Sequence, residues 1–78
     1  MDREEIKVRL RNETGSGETR PGCRRVVITN TGGSDATVNG GTLQASGSME
    51  VYDPCGRAVV AKIAYNGAGT NLRIEETW

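Results

Sequence analysis

The stretch "EEIKVRLRNE", residues 4–13, alternates strictly between apolar and charged side chains from residue 6 to residue 11. Its apolar residues fall on one side of an extended chain, and its cations Lys7, Arg9 and Arg11 fall on the other. A period of two residues is typical of a half-buried β-strand. We therefore predict a first strand over residues 5–12, with the row of three cations on its exposed face.

The remaining apolar residues also repeat with a period of two, and β-branched side chains dominate them. Short segments of this kind recur roughly every 8–12 residues, which is typical of a sandwich or small barrel. We predict an all-β fold, a small antiparallel β-sandwich or partly open barrel of about six strands, in a single β domain over residues 1–78. After the first strand, the segments assigned to strands are residues 24–30, 36–38, 42–45, 48–52, 57–65 and 71–76.

Three segments carry specific expectations. Residues 13–22, "ETGSGETRPG", are polar and Gly-rich and are predicted to form a loop. Asn39-Gly40-Gly41 predicts a tight hairpin turn, because Asn and Gly accept positive φ angles. Residues 57–65, "RAVVAKIAY", form the longest apolar run and are predicted to be the central strand.

Composition restricts the function classes. The 78 residues hold 10 basic and 10 acidic side chains, and this balance argues against a dedicated nucleic-acid binder. Seven of the basic and five of the acidic residues lie in residues 1–25, so a local basic patch is allowed. No apolar run is long enough to span a bilayer, and the start lacks the order of a signal peptide. We expect no membrane partner and a location in the cytoplasm (the host cytoplasm for a phage-encoded protein) or in a virion.

The sequence shows no catalytic or metal-binding motif. It has no His, and two separated cysteines cannot make a structural zinc site without further ligands. It also lacks a phosphate-binding loop of the P-loop type. Glu50 and Asp53 are the residual argument for acid–base chemistry, but alternating carboxylates on a strand are usually a solvated face. We predict a non-enzyme with no catalytic residue, no metal and no cofactor.

Cys23 and Cys55 occupy similar settings, "PGCRR" and "DPCGR". Each lies in a turn beside Gly and precedes a predicted strand that begins with Arg. If those strands are neighbours, the pair can form a disulfide, which would stabilise the fold by about 3–4 kcal/mol. Two independent thiols, as expected in a reducing cytosol, are the equal alternative.

Three readings of the cationic row are open. Successive cations on one strand face lie about 6.6–7 Å apart, close to the phosphate repeat of a nucleic-acid strand. Single-strand binders also need aromatic stacking platforms, which this chain almost lacks. Cations equally protect an edge strand from association, or pair with the last strand's Arg73 and Glu75. The third reading is contact with an acidic protein face.

Four other residues are predicted contact residues. Arg24, Arg25 and Tyr52 suit an interface because of their guanidinium forks and aromatic area. Trp78, the last residue of the sequence, either covers an open end of the core or anchors a partner.

One stretch carries a family resemblance. "VVITNTGGSDATVNGGTLQASGSMEV", residues 26–51, runs through an apolar strand, Asn-Thr-Gly, a short strand, Gly-Gly-x-Leu, a glycine turn and a further strand. It resembles small immunoglobulin-like β-sandwich modules of phage or bacterial accessory proteins. It implies a virion or assembly component. The compact, Gly-rich, His-free composition also resembles small phage-encoded inhibitors of host defence proteins. Because the thin core favours a surface mechanism over an internal site, we predict a non-catalytic protein–protein interaction module in either case. Its partner would be a host protein or a second copy. The alternative is a nucleic-acid-backbone binder that uses Lys7, Arg9 and Arg11.

Overall fold

A computed structural model describes residues 7–78 of the chain, so the predicted strand residues 5 and 6 lie outside the described part. The described residues form eight strands and no helix. The strands are β1 (Val8–Glu13), β2 (Ser16–Glu18), β3 (Arg25–Asn30), β4 (Ala36–Val38), β5 (Gly41–Leu43), β6 (Ser48–Tyr52), β7 (Ala64–Asn66) and β8 (Leu72–Thr77).

Two four-stranded antiparallel sheets make up the fold. Sheet A has the order β1-β8-β3-β6, and sheet B has the order β2-β7-β4-β5. Matching positions in the two sheets are filled by consecutive strands: β1 with β2, β8 with β7, β3 with β4, and β6 with β5. The chain therefore turns into the matching strand of the other sheet at four corners, between β1 and β2, β3 and β4, β5 and β6, and β7 and β8, and the sheets are not closed into a barrel.

The corners are joined to one another by backbone hydrogen bonds. The amide of Gly67 donates to the carbonyl of Gly15 (2.9 Å), and the amide of Thr31 donates to that of Asn71 (2.9 Å). Asn30 lies fully buried among them. Its side-chain amide donates to two carbonyls, and its oxygen accepts from the Gly32 amide and the Thr70 hydroxyl. All four hydrogen-bonding positions of this buried amide are thus satisfied, as burial of a polar group requires.

The core lies between the sheets and is built mainly from aliphatic side chains. Alternate residues of β3 and β8 face it, because the side chains of a strand point to opposite faces in turn. The buried core residues are Cys23, Val26, Ile28, Ala36, Val38, Val60, Ile63, Tyr65, Leu72 and Ile74, with Leu43, Met49 and Val51 packed at the margin.

The predicted all-β class is confirmed, and the arrangement fits a small antiparallel sandwich or open barrel. Two strands have the predicted bounds, Ala36–Val38 and Ser48–Tyr52. The turn at Asn39 and Gly40 is confirmed, with φ angles of 48° and 78°. Eight strands form where about six were predicted, and one of them, Ser16–Glu18 (β2), lies within the loop predicted over residues 13–22.

The predicted central strand at residues 57–65 is wrong. Only Ala64–Asn66 forms a strand there, and Val59 is 62% exposed. The carboxylate of Asp53 accepts hydrogen bonds from three following amides, those of Cys55 (3.0 Å), Arg57 (3.0 Å) and Ala58 (2.9 Å). These hydrogen bonds to the Asp53 side chain hold the chain in a loop, although the apolar composition of the segment suggested a β-strand.

Candidate functional site

The cations Arg9 and Arg11 of β1 face the inside of the fold. Both donate from Nε to Glu76 Oε1, at 2.9 Å for Arg9 and 3.1 Å for Arg11. The Glu76 side chain is fully buried, and its second oxygen accepts from the Arg20 amide at 2.8 Å. The prediction of an exposed cationic face is therefore wrong for Arg11, whose side chain is 23% exposed, whereas Arg9 keeps 47% of its side chain exposed.

Arg11 also connects the two sheets. Its guanidinium donates to Glu13 Oε1 (2.8 Å) in its own strand and to the Tyr65 hydroxyl (2.8 Å) in sheet B. It further donates to the carbonyl of Glu18 at 3.3 Å. The Tyr65 ring passes directly over Gly17, where an added Cβ would lie 2.7 Å from the hydroxyl oxygen. Glycine at this position thus permits the contact between Tyr65 and Arg11.

The cluster keeps its charges at neutral pH. Burial alone would raise the pKa of Glu76, but hydrogen bonds from the Arg20 amide and from Arg11 and Arg9 hold that pKa below its ordinary value. Burial likewise opposes the charge of Arg11, yet hydrogen bonds to Glu76 and Glu13 raise the pKa of Arg11 above its ordinary value. The cluster is a paired ionic network and lacks a group poised to transfer protons near neutral pH.

The opposite side of β1 is apolar and exposed. Val8 is 58% and Leu10 is 52% exposed, although both belong to the set that a strand normally buries. The register explains this, because Arg9 pairs with Glu76 and Leu10 pairs with Glu75 in β8. A shift of one residue would exchange the two faces. The buried carboxylate on β8 therefore selects the side of β1 that turns inward.

The backbone of β1 has unpaired groups along its outer edge. Lys7 and Trp78 exchange both backbone hydrogen bonds, at 2.9 and 2.8 Å. In an antiparallel pair of strands, residues whose backbone bonds to the neighbouring strand alternate with residues whose backbone does not. Arg9, Arg11 and Glu13 therefore also bond to β8, and the amides and carbonyls of the residues between them point away from β8. No strand among residues 7–78 pairs with this outer edge, which we call the β1 edge and define as the outward backbone groups of Val8, Leu10 and Asn12.

The other predicted contact residues are spread over the outer face of sheet A and its end. Arg25 forms an ion pair with Glu50 on neighbouring β6. Tyr52 is exposed on β6, at the edge of sheet A opposite β1. The exposed Arg24 donates its amide to the carbonyl of Thr77 at 2.6 Å. The structure does not bring these residues together with Lys7, Arg9 and Arg11 into one patch.

Trp78 lies at the end of β8, half-buried. The guanidinium carbon of Arg20 lies 3.8 Å from the centre of the Trp78 ring, a cation–π stack. Since the Arg20 amide also binds Glu76, this stack closes the charged cluster at one end. The described contact of Trp78 is thus with Arg20, and its role as core cover or partner anchor stays a prediction.

The two cysteines are both free. Cys23 is buried and forms an isolated bridge with Val60, whereas Cys55 is exposed in the loop after β6. Burial, followed by the charge of Glu76, raises the pKa of the Cys23 thiol. The structure thus has two independent thiols in place of the disulfide that the sequence allowed.

Reasoning from the sequence missed Glu76, Arg20, Tyr65 and Gly17. One signal for Glu76 was available: it continues the two-residue period of the apolar residues Leu72 and Ile74, and this side of a strand is expected to face the core. A carboxylate on that face needs buried partners, and the alternating cations of β1 are the nearest source in the same sheet. Nothing in the local sequence indicated that Arg20 or Tyr65 would join them.

The described residues hold no enclosed pocket and no group of three or more potential metal ligands. Within residues 7–78 no helix has the length and apolar character that crossing a membrane requires. Comparisons of the chain with protein families, curated proteins and solved structures found no match. The exposed surface of sheet A is the candidate functional surface of the described residues.

Proposed function

We propose that this chain is a non-catalytic protein–protein interaction module that acts through a rigid exposed surface, and that the surface is the β1 edge with Val8 and Leu10. The observation that carries the proposal is the exposure of these two apolar side chains beside unpaired backbone groups. Natural edge strands are usually protected by charged side chains, bulges, Pro or a covering segment. No strand among residues 7–78 covers the β1 edge, and the side of β1 that holds Val8 and Leu10 carries no charge, so an apolar strip lies beside unpaired backbone groups.

The ionic cluster supports this role by holding β1 in place. An edge strand with only one neighbour is weakly restrained by its own ladder. Arg9 ties it to Glu76, and Arg11 ties it to both sheets through Glu76 and Tyr65. A fixed strand loses little conformational freedom on binding, which favours affinity.

The nucleic-acid alternative has less support from the same geometry. Binders of single strands present aromatic stacking platforms beside their cations, whereas here Tyr65 is buried and the Trp78 ring is stacked by Arg20. Binding through the cations of β1 would show a steep loss of affinity between about 50 and 200 mM salt. The phage or bacterial context and the role as virion or assembly component rest on the resemblance in residues 26–51. The role as inhibitor of a host defence protein rests on the resemblance in overall composition, and the location in cytoplasm or virion is proposed with these roles.

A capture experiment with matched variants tests the proposed function. The wild-type chain, the double variant Val8→Ser with Leu10→Ser, and the control Val59→Ser are each immobilised and exposed to lysate of the native host. Val59 is equally exposed but lies in the loop after β6. We expect a protein that binds the wild type and the control but not the double variant, at equal thermal stability of all three.

Two results would overturn the proposal. One is the absence of any captured protein whose binding depends on the β1 substitutions. The other is capture of nucleic acid by all three chains with the steep salt dependence given above. Self-association seen by light scattering, and lost in the double variant, would identify the partner as a second copy.

A further inference from the structure

We infer that the β1 edge takes an extended segment of a partner protein as a fifth, antiparallel strand of sheet A, and that this segment alternates apolar residues with Asp or Glu. The inference rests on the proposed function and adds the chemistry of the partner. It combines three features of β1: its unpaired backbone groups, its apolar outer side and its cationic inner side.

The backbone sets the mode of binding. The outward amides and carbonyls of Val8, Leu10 and Asn12 offer up to six hydrogen bonds to an added antiparallel strand. Strand addition to an open sheet edge takes its affinity from such bonds and its selectivity from alternate side chains. Every pairing already present in sheet A is antiparallel.

The outer side of β1 selects apolar residues. Val8 and Leu10 are more than half exposed, and partner residues directly opposite them would cover both. Apolar partner side chains at those two positions would remove this area from water. Asn12, the third residue of this side, places no apolar demand on the partner.

The inner side of β1 selects acidic residues. Lys7, Arg9 and Arg11 alternate along this side, and Arg20 lies at its end above Trp78. Within residues 7–78 the carboxylates bonded to this group of cations are Glu13 and Glu76, so positive charge is in excess on the described part of this side. The Arg9 side chain is still 47% exposed. In an antiparallel addition the residues opposite Arg9 and Arg11 form the close pairs without backbone hydrogen bonds, where opposite charges stabilise.

The same charges disfavour a second copy of this chain. Two β1 strands paired about a two-fold axis would set Arg9 opposite Arg11, or opposite the other copy's Arg9, and like charges directly opposite are destabilising. Addition of β6 would bring Met49 and Val51, its inner residues, to the cations. In the registers that keep both Val8 and Leu10 within the pairing, Glu13 of the second copy reaches Lys7 at most, and no carboxylate faces Arg9 or Arg11.

A peptide titration followed by NMR tests the inference on the intact chain. The probes are four capped hexapeptides: one alternates valine with glutamate, one alternates valine with lysine, and two are copies of the first that carry N-methyl groups on the amides of one edge or of the other. We expect the glutamate peptide to shift the amide signals of Val8, Leu10 and Asn12. The lysine peptide should bind about tenfold or more weakly, since two attractive cross-strand pairs become repulsive.

The two methylated copies and one protein variant distinguish strand addition from attraction by charge alone. Two methylated copies, one for each edge, should differ, because only one edge of the peptide faces β1. In Leu10→Pro the lost amide is an outward one, so pairing with β8 persists while the edge is blocked. Its thermal unfolding, compared with that of the wild type, reports whether the fold is kept.

The outcomes distinguish a failure of the strand-addition inference from a failure of the proposed function. Binding of the glutamate peptide at the β1 signals, with loss on methylation of one edge alone, supports the inference. Equal binding of the glutamate and lysine peptides, no binding of either, or shifts confined to other strands would overturn it. The proposed function would survive such a result if the capture of a partner still depended on Val8 and Leu10, and would fail with it if that dependence were also absent.

Discussion

The two edges of sheet A follow opposite rules. At β6 the apolar residues Met49 and Val51 turn to the core, and the polar residues Ser48 and Glu50 turn to solvent. At β1 the charged residues Arg9 and Arg11 turn inward, and the apolar residues turn to solvent. Both are outer strands of one sheet, so the difference has a local cause.

The orientation of each edge strand follows from the residues that lie opposite it on the neighbouring strand. On the inner face of sheet A, β6 meets the aliphatic Val26 and Ile28 of β3. In contrast, β1 meets Glu76 of β8, whose burial requires donors. An unpaired buried carboxylate costs more than the exposure of two aliphatic side chains, so the charge decides the orientation of the strand.

Removal of the buried carboxylate should have the largest effect on stability. Glu76→Gln leaves three donors around an uncharged amide, and we expect the free energy of unfolding to fall by about 3 kcal/mol, since one partner of a buried ion pair is lost. Urea unfolding measures the change. The matched control is Glu75→Gln, on the adjacent outer-face position, where we expect a change within about 0.5 kcal/mol. Equal effects for the two would contradict the assigned faces.

A second variant disturbs the contact between Arg11 and sheet B. In Gly17→Ala the new Cβ meets the Tyr65 hydroxyl at 2.7 Å, so the ring must shift and its bond to Arg11 lengthens. We expect a loss of about 1–3 kcal/mol, typical of overpacking. Gly33→Ala, where a Cβ meets no atom within 4 Å, is the control and should be neutral or slightly stabilising. A tolerated Gly17→Ala would show that the ring does not lie over this position.

A third pair compares the apolar residues of the two edges. Met49→Ala removes a side chain packed at the margin of the core, and we expect a cost of about 1–2 kcal/mol. Leu10→Ala trims an exposed side chain and should cost less than about 0.5 kcal/mol. Thermal unfolding of both variants gives the order, and a larger cost for Leu10→Ala would place that residue in the core.

The pH dependence gives the smallest and broadest signal. The folded pKa of Glu76 lies below its ordinary value of about 4.5, so its contribution to stability is present above that pH and is lost as the pH falls through the folded pKa. Asp53 acts in the same direction, because amide hydrogen bonds from Cys55, Ala58 and Arg57 lower its pKa. We expect the unfolding free energy to fall on acidification, and to fall less steeply in Glu76→Gln. An unchanged slope in that variant would remove Glu76 from the titrating groups.

Much of the fold was predictable because local chemistry determines it. The period of two residues identified the strands, and Asn39-Gly40 identified a turn that needs positive φ angles. The run at residues 57–65 misled because four small or β-branched residues suggest a buried strand, while the competing signal is a single Asp53 carboxylate four residues upstream. Turn chemistry overrode composition there.

The candidate site was less predictable, because it depends on contacts between distant residues. Alternation in β1 showed that one side is charged and the other apolar, but it does not specify which side meets the core. That choice depends on Glu76, 65 and 67 positions away from its two arginine partners. The usual rule that apolar residues lie inside therefore assigned the wrong face to β1.

Amide hydrogen exchange along β1 tests the central claim most directly. Turning a strand over exchanges its faces and, together with them, the residues that bond to its neighbour. We expect slow exchange for the amides of Arg9, Arg11 and Glu13, which bond to β8. The amides of Val8, Leu10 and Asn12, which point outward, should exchange fast. The reverse alternation would mean that the apolar side of β1 faces the core, and it would contradict both the buried ionic network and the open edge.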